Sequence, residues 1–431
     1  MRLCPPGYTV ILIIVTATAI VEQQTLMKAS ADGNATTFEQ MCRPIPSWAR
    51  QTTMWSGLIY LWACGGFYFD FLLSFAEGQL CPILCLSDGD AWLCQSEWHL
   101  AIPITIMVVF VNWPSEFSGR LARSINLINI IIKTVVILAV IFKGFMTWKA
   151  KTEASTYVQW NFPGFFRTSS ILMGSLANSG IMPQLVSDVD PDVRDRATKW
   201  CPIISVSLQS LVYFSVGLVG YGALGNLVDV DIFSVYQRTY PGPLTSVLQG
   251  SFALMMYFSY PLVIIPCKSQ VWSLVASKFM PSEQTLLSSA SLRVKAGLTL
   301  FFSLPTVLVP LLVGNEAWDQ FSLALACTAG VWMNLLLPAI VLVYCRILPN
   351  RATNLGNPHR GRDWGSLLTV GWILLLGLLC LLDGFRQLAG INKGSSLPPL
   401  SLSQLCRNAF DGHVPHVPKV SMPLVPIQPL S

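Results

Sequence analysis

The chain has 431 residues, 53% of them hydrophobic and only 11% charged, and its mean hydropathy is +0.55. A soluble domain carries roughly 25% charged residues, so this chain lacks the polar groups to cover a water-facing surface of its size and reads as a polytopic membrane protein. The net charge of +5 is too mild to point to nucleic acid.

A bilayer core takes about 20 mostly apolar residues per helix. The first such run, 8–27, carries Glu22 near its end, where an interfacial position is expected. The same stretch also has the outline of a signal peptide, with one Arg, an apolar run and then small residues. A cleaved leader would put the sequon Asn34-Ala35-Thr36 outside the cytosol, whereas a spanning helix leaves it in a cytosolic loop and unused.

The second run, 54–75, holds Asp70 in "WACGGFYFDFLLSF". An ionisable residue inside a span is costly and usually faces a cavity or a partner. Asp70 is therefore the first candidate for ion coupling, and a buried pair with Lys133 of a later run is the alternative. The loop 76–99 has no Lys or Arg but carries Glu77, Asp88, Asp90 and Glu97, as expected on the non-cytosolic side. There, two of Cys81, Cys85 and Cys94 can form a disulfide, with the pairing open. The cysteines elsewhere lack zinc spacing, and no cofactor or metal is expected.

Runs follow at 100–113 (short), 125–145, 200–224, 246–267, 296–314, 320–345 and 365–383. Lys143 falls near a span end, and all four His (His99, His359, His413 and His416) fall outside the spans, which disfavours a mid-membrane His relay. The weak tenth candidate is 169–186, where "GSLANSGIMPQ" interrupts an apolar stretch. Loop charge decides it. If this stretch spans, one set of loops collects most of the loop Lys and Arg, including Arg194, Arg196, Lys199, Lys268, Lys278, Arg293 and Lys295. If it does not, the last two basic loops change sides. Ten spans are expected, with both termini outside. Residues 1–386 form the transmembrane domain, and 387–431 form a Pro-rich tail with the composition of an extended or disordered segment.

In hydrocarbon every backbone N–H and C=O must be paired, so irregular backbone survives only against protein or a cavity. Gly180 loosens a helix, and Pro183 removes an N–H and clashes with the carbonyl at Ser179. The freed groups, with the Ser175, Asn178 and Ser179 side chains, suit a polar ligand held near the midplane. The residues alone equally allow a kinked helix packed tightly through small side chains. In 246–267, Tyr257, Ser259 and Tyr260 precede Pro261, an expected second helix break. These hydroxyls either face the site, with Ser259 joining a cation position, or bond back to their own helix.

Three blocks in this order resemble the amino acid/auxin permease family, in the manner of its vesicular and sodium-coupled neutral amino acid transporters. They are "GSLANSGIMPQLVSDVDPDVRDRATKWCPIISVSLQSLVYFSVGLVGYGALGN", "SFALMMYFSYPLVIIPCKSQVWSLV" and "NEAWDQFSLALACTAGVWMNLLLPAIVLV". They carry Asn178 to Gly180, Pro183, Asp188 to Pro191, Gly220 to Gly225, Pro261, Pro266, Lys268, Gly330 and Pro338 at matching places. The resemblance implies an all-α inverted-repeat fold, here without the family's Gly-rich first helix. It implies an amino acid as substrate, moved by alternating access as symport or exchange with H+ or Na+, in a plasma, endolysosomal or vesicular membrane. Together with the residue chemistry above, substrate contacts are expected at Ser175, Asn178, Ser179, Gly180, Tyr257 and Tyr260, and ion coupling at Asp70 and Ser259. No "GxxxxGK" phosphate loop is present to use ATP, and no His/Asp/Glu cluster at a membrane face suggests an enzyme. The missing first helix leaves a second reading open, a non-transporting amino-acid sensor or an inactive truncated relative.

Overall fold

The computed structural model describes residues 5–33, 38–81, 96–114, 120–150, 162–176, 182–187, 189–224, 242–279, 290–314, 321–344 except 323, and 364–388, with single positions at 35, 94, 236, 287 and 318. All regular structure among them is helical. Asn34, Cys85, Asn178, Ser179, Gly180, Gly225 and the tail beyond Leu388 lie outside the described residues.

The helices are α1 (Pro5–Asp32), the short α2 (Phe38–Met41), α3 (Ser47–Phe75, continued by a π-helical turn Ala76–Leu80) and α4 (Glu97–Val111). Then come α5 (Arg120–Ala150), α6 (Phe162–Leu176), α7 (Met182–Ser187), α8 (Pro191–Leu224), α9 (Pro243–Phe279) and α10 (Leu292–Val313). Two π-helical segments, Ala326–Gly330 and Trp332–Leu336, lead into α11 (Leu337–Leu342), and α12 (Trp364–Leu388) follows. Within its described residues, each of the ten expected apolar runs is largely helical. Six helices are long and apolar enough to cross a membrane, and shorter apolar helices cover 97–111, 328–342 and 367–383. The chain is an integral multi-pass membrane protein.

Local chemistry explains several boundaries. The Ser96 hydroxyl accepts the Trp98 N–H at 3.3 Å and caps α4. Asp190 Oδ1 accepts the Asp192 N–H at 3.2 Å, and Pro191 takes the first position of α8. Proline suits that position because its missing N–H would have no helical partner there. The acidic Pro-containing motif after the tenth span is thus a helix start. Gly314 ends α10 with φ +86°, a conformation without penalty only for glycine.

Packing falls into neighbouring sets. Leu58, Phe69 and Leu73 of α3 share a buried core with Leu100 and Val108 of α4, Tyr260 and Ile264 of α9, and Phe302 of α10. Ile11, Val15 and Ala19 of α1 share another with Leu172 and Leu176 of α6, Val331, and Ile373 and Leu376 of α12. Below it, Leu26 and Met27 of α1 join Met182 and Val186 of α7, Met333 and Leu337. Helix α5 packs on both α8 and α9. Its outer face exposes Ile130, Leu138 and Phe142 at 58–63%, a pattern suited to lipid.

Two sequence expectations change here. Pro261 does not break its helix, because α9 runs 37 residues straight through Pro261 and Pro266. Neighbouring helices in a membrane can satisfy the groups that a proline frees. Lys268, expected among the loop cations, lies within the same helix at 1% exposure. At about 1.5 Å per residue α9 is about 55 Å long, far longer than the apolar run 246–267.

Candidate functional site

Helix α6 is described as far as Leu176 and α7 from Met182, with Pro183 buried in the first turn of α7. Two carbonyls in the last described turn of α6 accept from other helices. Gln23 Nε2 of α1 donates to the Leu176 carbonyl at 2.7 Å, and the Tyr60 hydroxyl of α3 donates to the Gly174 carbonyl at 3.2 Å. This turn is therefore tied to both α1 and α3.

Tyr60 fits there because its neighbours are glycines. A Cβ on Gly174 would sit 2.8 Å from the Tyr60 hydroxyl, and one on Gly330 would sit 2.9 Å from its ring. Gly330 closes the first π-helical segment, and π-helical turns inside α-helices often mark functional sites. The buried Asn334 of the second segment lies beside the Tyr60 side chain.

From Tyr60, α3 presents Cys64 and Tyr68 at four-residue spacing, which places all three on one helix face. Cys64 lies against Tyr60, and Tyr68 lies near Tyr213 of α8. The Tyr213 hydroxyl is hydrogen-bonded to Ser175, in the last turn of α6. Ser175 is exposed, and its hydroxyl reaches back to the Ile171 carbonyl at 2.7 Å. Tyr68 also meets Tyr260 edge-on, with ring centroids 5.9 Å apart. A strip of hydroxyls, one thiol and one amide therefore borders the end of α6. Such a lining can give and take hydrogen bonds from a zwitterion without adding net charge.

The residues expected from sequence separate into two groups. Ser175 lies at this strip, and Asn178, Ser179 and Gly180 follow it in the chain outside the described residues. Tyr257, Ser259 and Tyr260 each bond to neighbouring backbone or to a packed helix. Tyr257 donates to the Met107 carbonyl of α4 at 3.1 Å. Ser259 bonds back to the Met255 carbonyl at 2.8 Å and accepts from Asn129 Nδ2 of α5 at 3.1 Å. The fully buried Tyr260 pairs with Thr306 of α10 at 2.8 Å. Asp70 is buried at 9% exposure, ten residues along α3 from Tyr60, or about 15 Å.

Three features escaped the sequence reading. The first is the stripe of Tyr60, Cys64 and Tyr68, which left a signal, polar residues every fourth position in an apolar helix. The second is Lys268, whose ammonium donates to the Asn112 carbonyl at 2.6 Å, the Pro114 carbonyl at 2.7 Å and Thr299 Oγ1 at 3.2 Å. It gathers the carbonyls at the end of α4, a favourable place for a cation. The third is Glu22, which is fully buried and not interfacial. Cys81 and Cys94 form the disulfide, with their Cα atoms 5.5 Å apart.

Residues 11–357 match the family described as "Transmembrane amino acid transporter protein". No curated protein matches the chain at a significant level. Among solved structures it is similar in fold to a manganese transporter of Eremococcus coleocola, seen in several single-residue mutants. Against one of them, a histidine-to-alanine mutant, the TM-score is 0.56 at 16% identity, covering 94% of this chain and 86% of that one. Against a second, a glutamate-to-alanine mutant, the TM-score is 0.52 at 14% identity, with the same coverage.

Proposed function

Because the chain belongs to the transmembrane amino acid transporter family, we propose that it carries amino acids or related zwitterions across its membrane by secondary-active, alternating-access transport coupled to H+ or Na+. The observation that carries this reading is the end of α6. Gln23 and Tyr60, from two other helices, bond the Leu176 and Gly174 carbonyls just ahead of the small and polar residues Asn178 to Gly180. The hydroxyl strip of Tyr60, Tyr68, Tyr213 and Ser175 borders that end.

The chemistry follows from what a zwitterion needs. Its ammonium seeks carbonyl oxygens and hydroxyl lone pairs, and its carboxylate seeks N–H and O–H donors. Interrupted spans supply both near the midplane of inverted-repeat transporters. Ser175, Asn178, Ser179 and Gly180 are the proposed substrate contacts, and Tyr213 orients Ser175. Asp70 is kept as a candidate ion-coupling acid, and Tyr257, Ser259 and Tyr260 act by holding α9 against α4, α5 and α10. Alternating access then amounts to movement of one helix group relative to the other about this region.

The test replaces Asn178 by Ala and follows uptake of labelled amino acids, with membrane abundance measured in parallel. Loss of uptake at normal abundance is the expected result. Uptake equal to that of the unaltered chain would move the substrate site away from this stretch.

A further inference from the structure

Glu22 lies on the buried face of α1. Val15, Ala19, Glu22 and Leu26 follow one another at spacings of four, three and four residues, and each is 0% exposed. Ala19 belongs to the apolar cluster that includes Leu176, the last residue of α6, and Leu26 to the cluster that includes Met182, the first residue of α7. The carboxyl group therefore sits on α1 between the level of Leu176 and the level of Met182. Its chain neighbour Gln23 bonds the final α6 carbonyl. Among the described residues neither Glu22 oxygen has a hydrogen-bond partner.

Few charged groups surround it. Of the elements packed on α1, α7, the segment 332–336 and α11 contain no titratable residue, and α6 contains only Arg167, in its second turn. Helix α8 carries Asp192, Arg194, Asp195, Arg196, Lys199 and Cys201 in its first turns, with Tyr213 and Tyr221 further on. Its Lys199 carbonyl accepts from Gln24, but the Lys199 ammonium lies 5.6 Å over the Trp200 ring. Helix α12, whose Trp372 donates to Thr18, carries Cys380, Asp383 and Arg386. The segment 38–50, which packs around Leu26 and Met27, carries Glu39, Cys42, Arg43 and Arg50. On α1 itself Lys28 and Asp32 lie further towards the helix end, and Tyr8 near its start bonds the Tyr213 carbonyl.

Burying an ionised carboxylate without a partner is one of the costliest arrangements a protein interior can hold, whereas the neutral acid is tolerated. A purely structural position here would favour an apolar side chain like Ala19 or Leu26. We propose that Glu22 is the proton-carrying group of the transport cycle. It takes one proton from water on one side of the membrane and passes from carboxylate to neutral acid. The neutral acid is the form compatible with the closed packing around the α6 end. It returns that proton to water on the other side when the packing opens. The net charge of the site changes by one, and no other co-reactant is required. This inference rests on the transporter reading above and specifies its coupling ion as H+.

The experiment uses the full chain and its Glu22→Gln variant in proteoliposomes, with a tritium-labelled mixture of the twenty L-amino acids as probe and an entrapped pH dye. For the unaltered chain, an inward proton gradient should drive accumulation, and adding amino acids should acidify the lumen. E22Q keeps the shape of the side chain but cannot cycle a proton. It should lose gradient-driven accumulation and luminal acidification, while still exchanging labelled for unlabelled amino acid across the membrane. Exchange serves as the measure of folding. E22Q that still acidifies the lumen, or that loses exchange together with accumulation, overturns the proton-carrier role. An unaltered chain that neither accumulates nor exchanges the probe overturns the transporter reading itself.

Discussion

At the residue scale, Tyr60 in its glycine slot ties α3 to the last described turn of α6. Gly330→Ala would place a methyl group 2.9 Å from the Tyr60 ring, and the π-helical backbone beneath it has little room to yield. Overpacking of this kind costs about 1–3 kcal/mol. The melting temperature of the purified protein in detergent should fall, and uptake should fall with it. Tyr60→Phe is milder. It removes only the hydroxyl bond to Gly174 and should cost about 1 kcal/mol. A Gly330→Ala protein that melts with the unaltered one would mean that the slot is looser than its distances indicate.

Lys268 makes a contrasting case. Among the described residues its ammonium serves three acceptors and no carboxylate. Lys268→Met keeps the length of the side chain but leaves buried carbonyls without donors, at about 1–3 kcal/mol each. Thermal unfolding should show a clear destabilisation. Lys268→Arg should not restore it, because a planar fork does not fit three acceptors arranged around one point. Recovery by arginine would show that charge at the α4 end matters more than geometry.

At the element scale, the disulfide between Cys81 and Cys94 closes the stretch that joins the π-helical end of α3 to α4. A loop of this length is stabilised by about 3 kcal/mol through the entropy removed from the unfolded chain. Cys94→Ser should lower the melting temperature in non-reducing buffer and leave no difference after reduction of both proteins. A bond here also agrees with the acid-rich, base-free character of 76–99, since disulfides persist on the oxidising side of a membrane.

The elements themselves were largely legible in the sequence. Hydropathy reports whether a segment prefers lipid, and the ten apolar runs are largely helical within their described residues. Gly180 and Pro183, read with the loop charges, are the ground for proposing a break between α6 and α7. Hydropathy does not report which face of a helix meets which neighbour. For that reason Glu22 looked interfacial and Lys268 looked like a loop cation, although both are buried. Pro261 looked like a break because the rule for an isolated helix ignores the helices packed around it. Tyr257, Ser259 and Tyr260 looked like ligand contacts because their bonding partners, Met107, Asn129 and Thr306, are remote in sequence. Period alone could have singled out the stripe of Tyr60, Cys64 and Tyr68, but not the glycines opposite it.

At the scale of the whole molecule, the packing sets are joined at the region where α6 ends. The α3, α4, α9 and α10 core lies on one side, and the cores built on α1, with α6, α7, α11 and α12, lie on the other. Tyr60 crosses between them, from α3 to Gly174 and Gly330. Under the proposed transport cycle, a shift of one group against the other would break or re-form that crossing. The most direct measurement is uptake of labelled L-amino acids by proteoliposomes holding the full chain, with and without an imposed H+ or Na+ gradient. The account predicts accumulation above equilibrium that appears only with the gradient and collapses when an ionophore removes it. Saturable binding of amino acids with no uptake under either gradient would contradict it.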